Sequence, residues 1–210
     1  MAAKKKTAAQ KAPPTFEAYL ARVAAVYTKV ELTPPRAKKG ASASAIAALE
    51  RKTGHALPAG LRAAWLSANG AGECEDAPVF FPAGGDSTGY ELMSVPAAQK
   101  SHAGHAKLAQ QYEKAAYKEP SPRDKRIAPG WFLPGWLPFA EFGGGSLRLL
   151  VDFTPSARGT VGQVIAFTHD PDEMTWVAAS FDAFLAKSLA ELERDPEGSL
   201  DGPLDRAYEG

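Results

Sequence analysis

The sequence predicts an α+β fold: an antiparallel meander of about four strands plus a short one, with helices packed mainly on one face. Three observations carry this expectation. Apolar residues recur at helical spacing through the first half, period-two alternation takes over from Leu147, and an amphipathic segment closes the chain after Ser180. Short loops between the successive strands favour antiparallel pairing over βαβ crossovers.

Residues 1–14 form a Lys/Ala-rich tail that ends on two prolines and is expected to be disordered. Phe16, Leu20, Val23 and Tyr27 predict a first helix, which Pro34-Pro35 ends; residues 15–40 read as this helix and a linker. Ser44 is placed to cap a second helix with Ile46 and Leu49 facing inward, and Gly54 to stop it. Pro58 opens a third helix with Leu61, Trp65 and Leu66 as its buried stripe, and Asn69-Gly70 terminates it. The pair has the outline of a helix-turn-helix. Its second helix offers only Arg62 to read bases, so packing is the expected role.

From Gly72 to Gly89 the chain reads as a loop, acidic at Glu73, Glu75 and Asp76, with a short apolar piece at Val79-Phe80-Phe81. Tyr90 to Met93 suits a short strand. Ala97 to Lys118 reads as a helix weakened by Gly104, and Glu119 to Pro129, with three prolines, as a long loop. Leu147, Leu149, Val151 and Phe153 then alternate with Arg148, Leu150 and Asp152. Val161, Ile165 and Phe167 repeat that alternation. Trp176-Val177-Ala178 makes a further strand after an acidic tip, His169-Asp170-Pro171-Asp172-Glu173. Trp136–Phe142 precedes them, and its Pro138 suits an edge or an irregular strand. Phe181, Phe184, Leu185, Leu189 and Leu192 form the apolar face of a last helix capped by Ser180. Residues 193–210 read as an acidic tail.

Formal charge is zero over 210 residues, so no global field steers the chain to nucleic acid or membrane. The single cysteine, Cys74, excludes an internal disulfide and a cysteine-based zinc site, which suits a reducing cytoplasm. Ile127–Ala140 is the longest suspicious uncharged run. It is interrupted by Pro129, Pro134 and Pro138 and is too short to span a bilayer. The N-terminal lysines have no apolar stretch behind them, as a secretory signal would. A cytoplasmic protein is expected.

Gly143-Gly144-Gly145 invites a phosphate-binding reading. A phosphate loop delivers its ligand to a helix N-terminus, whereas this run leads into a strand, and neither G-x-G-x-x-G nor G-K-[ST] is present. The glycines are expected to turn a hairpin where φ is positive. His102 and His105 share a helix face without H-E-x-x-H, and a solvated surface is the expected place for both. Cys74 lies between Glu73 and Glu75, a field that disfavours thiolate, and no G-x-S-x-G elbow exists. Glu141 and Asp152 are paired carboxylates on neighbouring segments, expected on the solvent side or capping a turn. No catalytic residue, metal or cofactor is expected.

Three stretches taken together resemble a known family. They are AIAALERKTGHALPAGLRAAWLSANG from Ala45, WLPFAEFGGGSLRLLVDFTPSARGTVGQVIAFTHD from Trp136, and VAASFDAFLAKSLAEL from Val177. Their order is similar to the SUKH superfamily, the domain of fungal cell-wall-synthesis regulators and of many bacterial toxin-immunity proteins. The resemblance covers roughly residues 41–192. Trp65, Asn69, Gly70, Trp136, Gly143, Gly144 and Gly145 match its structural positions. It departs at Ser146, where members usually carry aspartate, and in the following strand, where only Asp152 remains acidic and Arg148 is added.

The resemblance implies a non-catalytic binding protein with a protein partner, such as a cognate toxin. Candidate contact residues are Glu73, Glu75, Asp76, Glu141, Asp152, Asp170, Asp172 and Glu173, acidic groups suited to a basic partner surface. A small-ligand or nucleotide-binding domain using the Gly143–Gly145 bend is the competing reading.

Overall fold

The structure is a computed structural model that describes residues 15–70, 77–82, 89–114, 123–169 and 172–200. Its elements run α1 (Phe16–Lys29), α2 (Ala43–Thr53), α3 (Ala59–Ser67), β1 (Glu91–Leu92), α4 (Val95–Lys114), β2 (Trp136–Phe142), β3 (Leu147–Asp152), β4 (Gln163–Thr168), β5 (Glu173–Ala178), α5 (Phe181–Arg194) and α6 (Pro196–Leu200). The strands form one five-stranded sheet in the order β1-β2-β3-β4-β5, antiparallel throughout. The chain is therefore α+β with a meander at its centre. No helix among the described residues is long and apolar enough to cross a membrane.

Local chemistry sets the helix ends. Thr15 caps α1 by accepting from the Ala18 N–H. Ser42, not Ser44, caps α2: its Oγ accepts from the Ala45 N–H at 3.2 Å, and Ser44, two residues further on, bonds the Ser42 hydroxyl. Gly54 ends α2 in the left-handed conformation, φ 75°. α3 stops at Ser67, because Ala68 turns extended and bridges to Lys39. Leu66 lies about 140° around the helix from Leu61 and faces out at 44% exposure, while Ala64 and Trp65 are buried. Ser180 caps α5 through the Ala183 N–H, and all five predicted apolar residues of α5 are buried.

The sheet separates two apolar clusters. On one face Leu137, Phe139, Leu149, Val151 and Val164 pack with residues of α1, α2, α3 and α5. Phe80 sits at the centre of this cluster, its ring 5.4 Å from Phe184 and 5.7 Å from Phe139. On the other face Trp136, Leu150, Ile165, Phe167 and Met174 are covered by Tyr112 of α4 and by Ile127, Trp131 and Phe132 of the following loop. α4 serves both clusters, with Val95 and Ala98 in the first and Tyr112 in the second. Helical cover therefore reaches both faces of the sheet.

β2 lies inside the sheet, flanked by β1 and β3, and its register shifts between Pro138 and Ala140. That irregularity is how a proline is accommodated in an interior strand. β4 begins at Gln163, so Val161 is left in the preceding turn at 69% exposure. In α1 the buried residues are Phe16, Tyr19, Val23 and Tyr27, with Tyr19 taking the place expected of Leu20.

Candidate functional site at the hairpin end of the sheet

The β2–β3 connection is a single 3-10 turn, Gly143–Gly145, with Gly144 at φ 64° and Gly145 at φ 92°. Both angles lie where side chains are disfavoured, and the turn leads into a strand, as a hairpin requires. Gly145 is further constrained by space. A Cβ there would lie 2.7 Å from Nη2 of Arg148, so the guanidinium rests against a glycine surface.

The β4–β5 tip lies alongside this turn, because the His169 N–H donates to the Ser146 carbonyl at 2.9 Å. Within the tip, the Tyr112 hydroxyl donates to Oδ1 of Asp172 at 2.9 Å, and His169 Nδ1 is 2.8 Å from the same oxygen. Asp172 is thereby mostly covered, while Glu173 is exposed opposite Thr168. Glu141 faces Arg148 across β2 and β3, and Glu91 across β1. The meander thus gathers Glu141, the glycine turn, Asp172 and Glu173 at one end of the sheet.

Beside that end runs an open groove of about 530 Å³ between α4 and the hairpin. Its walls include Lys100, Lys107, Arg148, Glu141, Ser101 and Gln111, and its apolar part Met93, Ala97 and Leu108. Arg148 is half-buried. Burial lowers its pKa from the usual guanidinium value, and the facing Glu141 carboxylate opposes that shift. The lysines were not singled out by sequence reasoning, although their spacing of seven on a helix places them on one face.

His105 corrects the expectation of a solvated histidine pair. It is 1% exposed, packs against Phe132 at 5.4 Å, and neither ring nitrogen has a hydrogen-bond partner. Burial, then the charges of His102 and Arg148, push its pKa down to about 3. His102 remains at the surface side, with Nε2 2.7 Å from the Pro134 carbonyl oxygen. Among the described residues no group of three or more His, Cys, Asp or Glu side chains is placed to hold a metal ion.

Asp152 stands apart from the other acidic candidates, at the opposite end of β3 and 0% exposed. Its Oδ1 accepts from the Thr154 N–H at 2.8 Å, closing a turn, and its Oδ2 accepts from Nε2 of Gln163 at 2.9 Å. Gln163 Nε2 also donates to the Arg126 carbonyl at 2.9 Å, and the Arg126 guanidinium lies 3.4 Å from the centre of the Trp176 ring. Burial raises the Asp152 pKa and these hydrogen bonds oppose the rise. The carboxyl is turned inward and locks the loop after Arg123 onto the sheet.

The remaining matched positions are architectural. The Trp65 indole N–H donates to the Met93 carbonyl at 2.9 Å, and Asn69 Oδ1 accepts from the Val95 N–H at the start of α4. Gly70 takes φ 107° beside Ser94. Trp136 is buried against the second cluster, opposite Asp152. Glu73, Cys74, Glu75, Asp76 and Asp170 lie outside the described residues.

No curated protein matches the chain. The model of the SMI1 / KNR4 family (SUKH-1) matches residues 40–187, from the linker before α2 to within α5. This span contains the whole sheet, the glycine turn and the buried Asp152. The chain belongs to the SMI1 / KNR4 (SUKH-1) family.

Proposed function

We propose that the chain is a non-catalytic protein-binding domain, a cytoplasmic immunity or regulatory protein that neutralises or modulates a partner protein, such as a toxin, by direct contact. The observation that carries this reading is the family match over residues 40–187. The contact face is the hairpin end of the sheet, where Glu141, the Gly143–Gly145 turn, Asp172 and Glu173 are brought together. Rigid strands hold these groups in fixed relation. That limits the ordering cost of association and lets charge steer the encounter.

Affinity capture of the tagged protein from its own cells, with mass spectrometry of what is retained, tests this reading. One stoichiometric partner, released as salt rises, is the expected result. Turnover of a substrate by the purified protein, with no partner retained, would replace the reading with an enzymatic one.

A further inference from the structure

The groove between α4 and the β2–β3 hairpin has a composition that the acidic tip does not share. Lys100, Gly104, Lys107 and Gln111 follow one another at four, three and four residues, so they form a single stripe along α4. Arg148 faces that stripe from β3, and Glu141 is the one carboxylate among the groove residues, which leaves a local charge of +2. The two lysines are exposed, and Nε of Arg148 is buried without a hydrogen-bond partner.

Gly104 is the informative member. A glycine inside a helix costs about 1 kcal/mol relative to alanine. Packing does not demand it here, because a Cβ at Gly104 would meet nothing within 4 Å. What the missing side chain does is keep the groove open midway between the two lysines. A conformational cost without a packing reason, in the middle of a converging set of cations, indicates a surface shaped for an occupant.

We propose that this groove binds an acidic extended segment of the protein partner, an inference that rests on the protein-binding reading above. Charge complementarity selects the class of occupant. Lys100 and Lys107 are separated by about 10 Å along the helix axis, at 1.5 Å per residue. Carboxylates three residues apart on a segment extended as a polyproline-II helix lie on one face and are separated by about 9 Å, at 3.1 Å per residue and three residues per turn. Met93, Ala97 and Leu108 supply apolar contact for the residues between them. The groove is open along its length, which suits a chain laid across it, whereas a small molecule needs a cavity that encloses most of its surface. With the acidic tip beside it, the face carries both signs and selects a partner that pairs a basic patch with an acidic extended segment.

The probe is an acetylated heptapeptide with glutamate at its first, fourth and seventh positions and leucine and serine between, titrated into ¹⁵N-labelled protein at low salt. Inorganic tripolyphosphate forms a second arm. The expected result is peptide-induced shifts at Lys100, Gly104, Lys107 and Gly144, with affinity about tenfold weaker in Lys100→Glu/Lys107→Glu. Gly104→Leu fills the groove while raising helix propensity, so it is expected to melt no lower than wild type and to lose the peptide. Peptide shifts that avoid the groove, or a Gly104→Leu variant that binds as wild type does, would overturn the proposal. Tripolyphosphate binding where the peptide does not would overturn it in favour of a small anionic ligand. Partner capture separates the two readings. If wild type and Lys100→Glu/Lys107→Glu retain the same partner equally, the groove proposal fails and protein binding stands; if wild type retains none, protein binding itself fails.

Discussion

Asp152 and Gln163 face each other across β3 and β4 with both side chains fully buried, Gln163 Nε2 donating to Asp152 Oδ2 at 2.9 Å. The pair is the inner end of a chain of contacts through the Arg126 carbonyl and guanidinium to the Trp176 ring. A buried carboxylate is tolerable only when donors surround it, and here both of its oxygens are occupied.

Asp152→Ala therefore leaves the Thr154 N–H and one Gln163 contact unmatched, and is expected to cost about 2–4 kcal/mol. Asp152→Asn retains the shape but turns one amide N–H toward a donor, at about 1–2 kcal/mol. Urea unfolding of the three proteins measures both. A wild-type midpoint for Asp152→Ala would mean that the pair does not hold the loop to the sheet.

His105 makes stability fall in acid. Its folded pKa, about 3, lies below the unfolded value of 6.5, so above pH 6.5 it is neutral in both states and contributes fully. As pH falls below 6.5 the unfolded chain takes up a proton that the folded chain refuses, and stability is lost progressively toward pH 3. The loss is about 2 kcal/mol at pH 5. His105→Leu removes this dependence while other groups titrate alike in both proteins. The stability difference between the two is expected to shift by that amount between pH 7.5 and 5, and parallel curves would show that His105 is not held neutral.

How much was legible beforehand follows from what periodicity encodes. Alternation at Leu147, Leu149 and Val151 identified one sheet face, and the spacing of Phe181, Phe184, Leu185, Leu189 and Leu192 identified one helix face, because those sides repeat in sequence. The second sheet face was harder to read. Its cover comes from Tyr112 and from Ile127, Trp131 and Phe132, in a proline-interrupted loop without period. For the same reason His105 reads as solvent-facing in sequence and Asp152 as either solvent-side or turn-capping: each is buried by a segment distant in sequence, and of the two readings for Asp152 the turn cap on Thr154 is the one present. The charged groove likewise joins α4 to a hairpin that starts more than twenty residues further on, and only the Lys100–Lys107 spacing hinted at it.

The glycine turn separates backbone strain from space. Gly144→Ala meets nothing within 4 Å and costs only the positive φ, about 1–2 kcal/mol. Gly145→Ala, at φ 92°, is more strained because it lies outside the left-handed well, and it also drives a methyl into the Arg148 guanidinium, so it should cost more. In an Arg148→Ala background the gap between the two alanine variants should narrow to the difference in backbone strain. Thermal melts of the six proteins form the test, and a gap of unchanged size would show that the guanidinium does not contribute to excluding a side chain at Gly145.

α1 and the C-terminal part of α5 lie outside the matched span of residues 40–187, yet they grip a segment within it. The Tyr19 hydroxyl donates to the Val79 carbonyl at 2.5 Å, and the Phe81 N–H donates to Ser188 Oγ at 2.8 Å. Tyr19 and Ser188 oxygens are 2.6 Å apart. Since the tyrosine proton is already committed to Val79, the serine must donate to the tyrosine, and the four groups form one directed relay. Burial raises the Tyr19 pKa, so the phenol keeps its proton throughout the neutral range. Tyr19→Phe should cost about 1–3 kcal/mol by stranding the Val79 carbonyl and the serine proton, and Ser188→Ala a similar amount by stranding the Phe81 N–H. Because both changes break the same relay, the double variant should lose about 1 kcal/mol less than their sum. Losses that add within about 0.3 kcal/mol would mean that the two contacts act independently and form no relay.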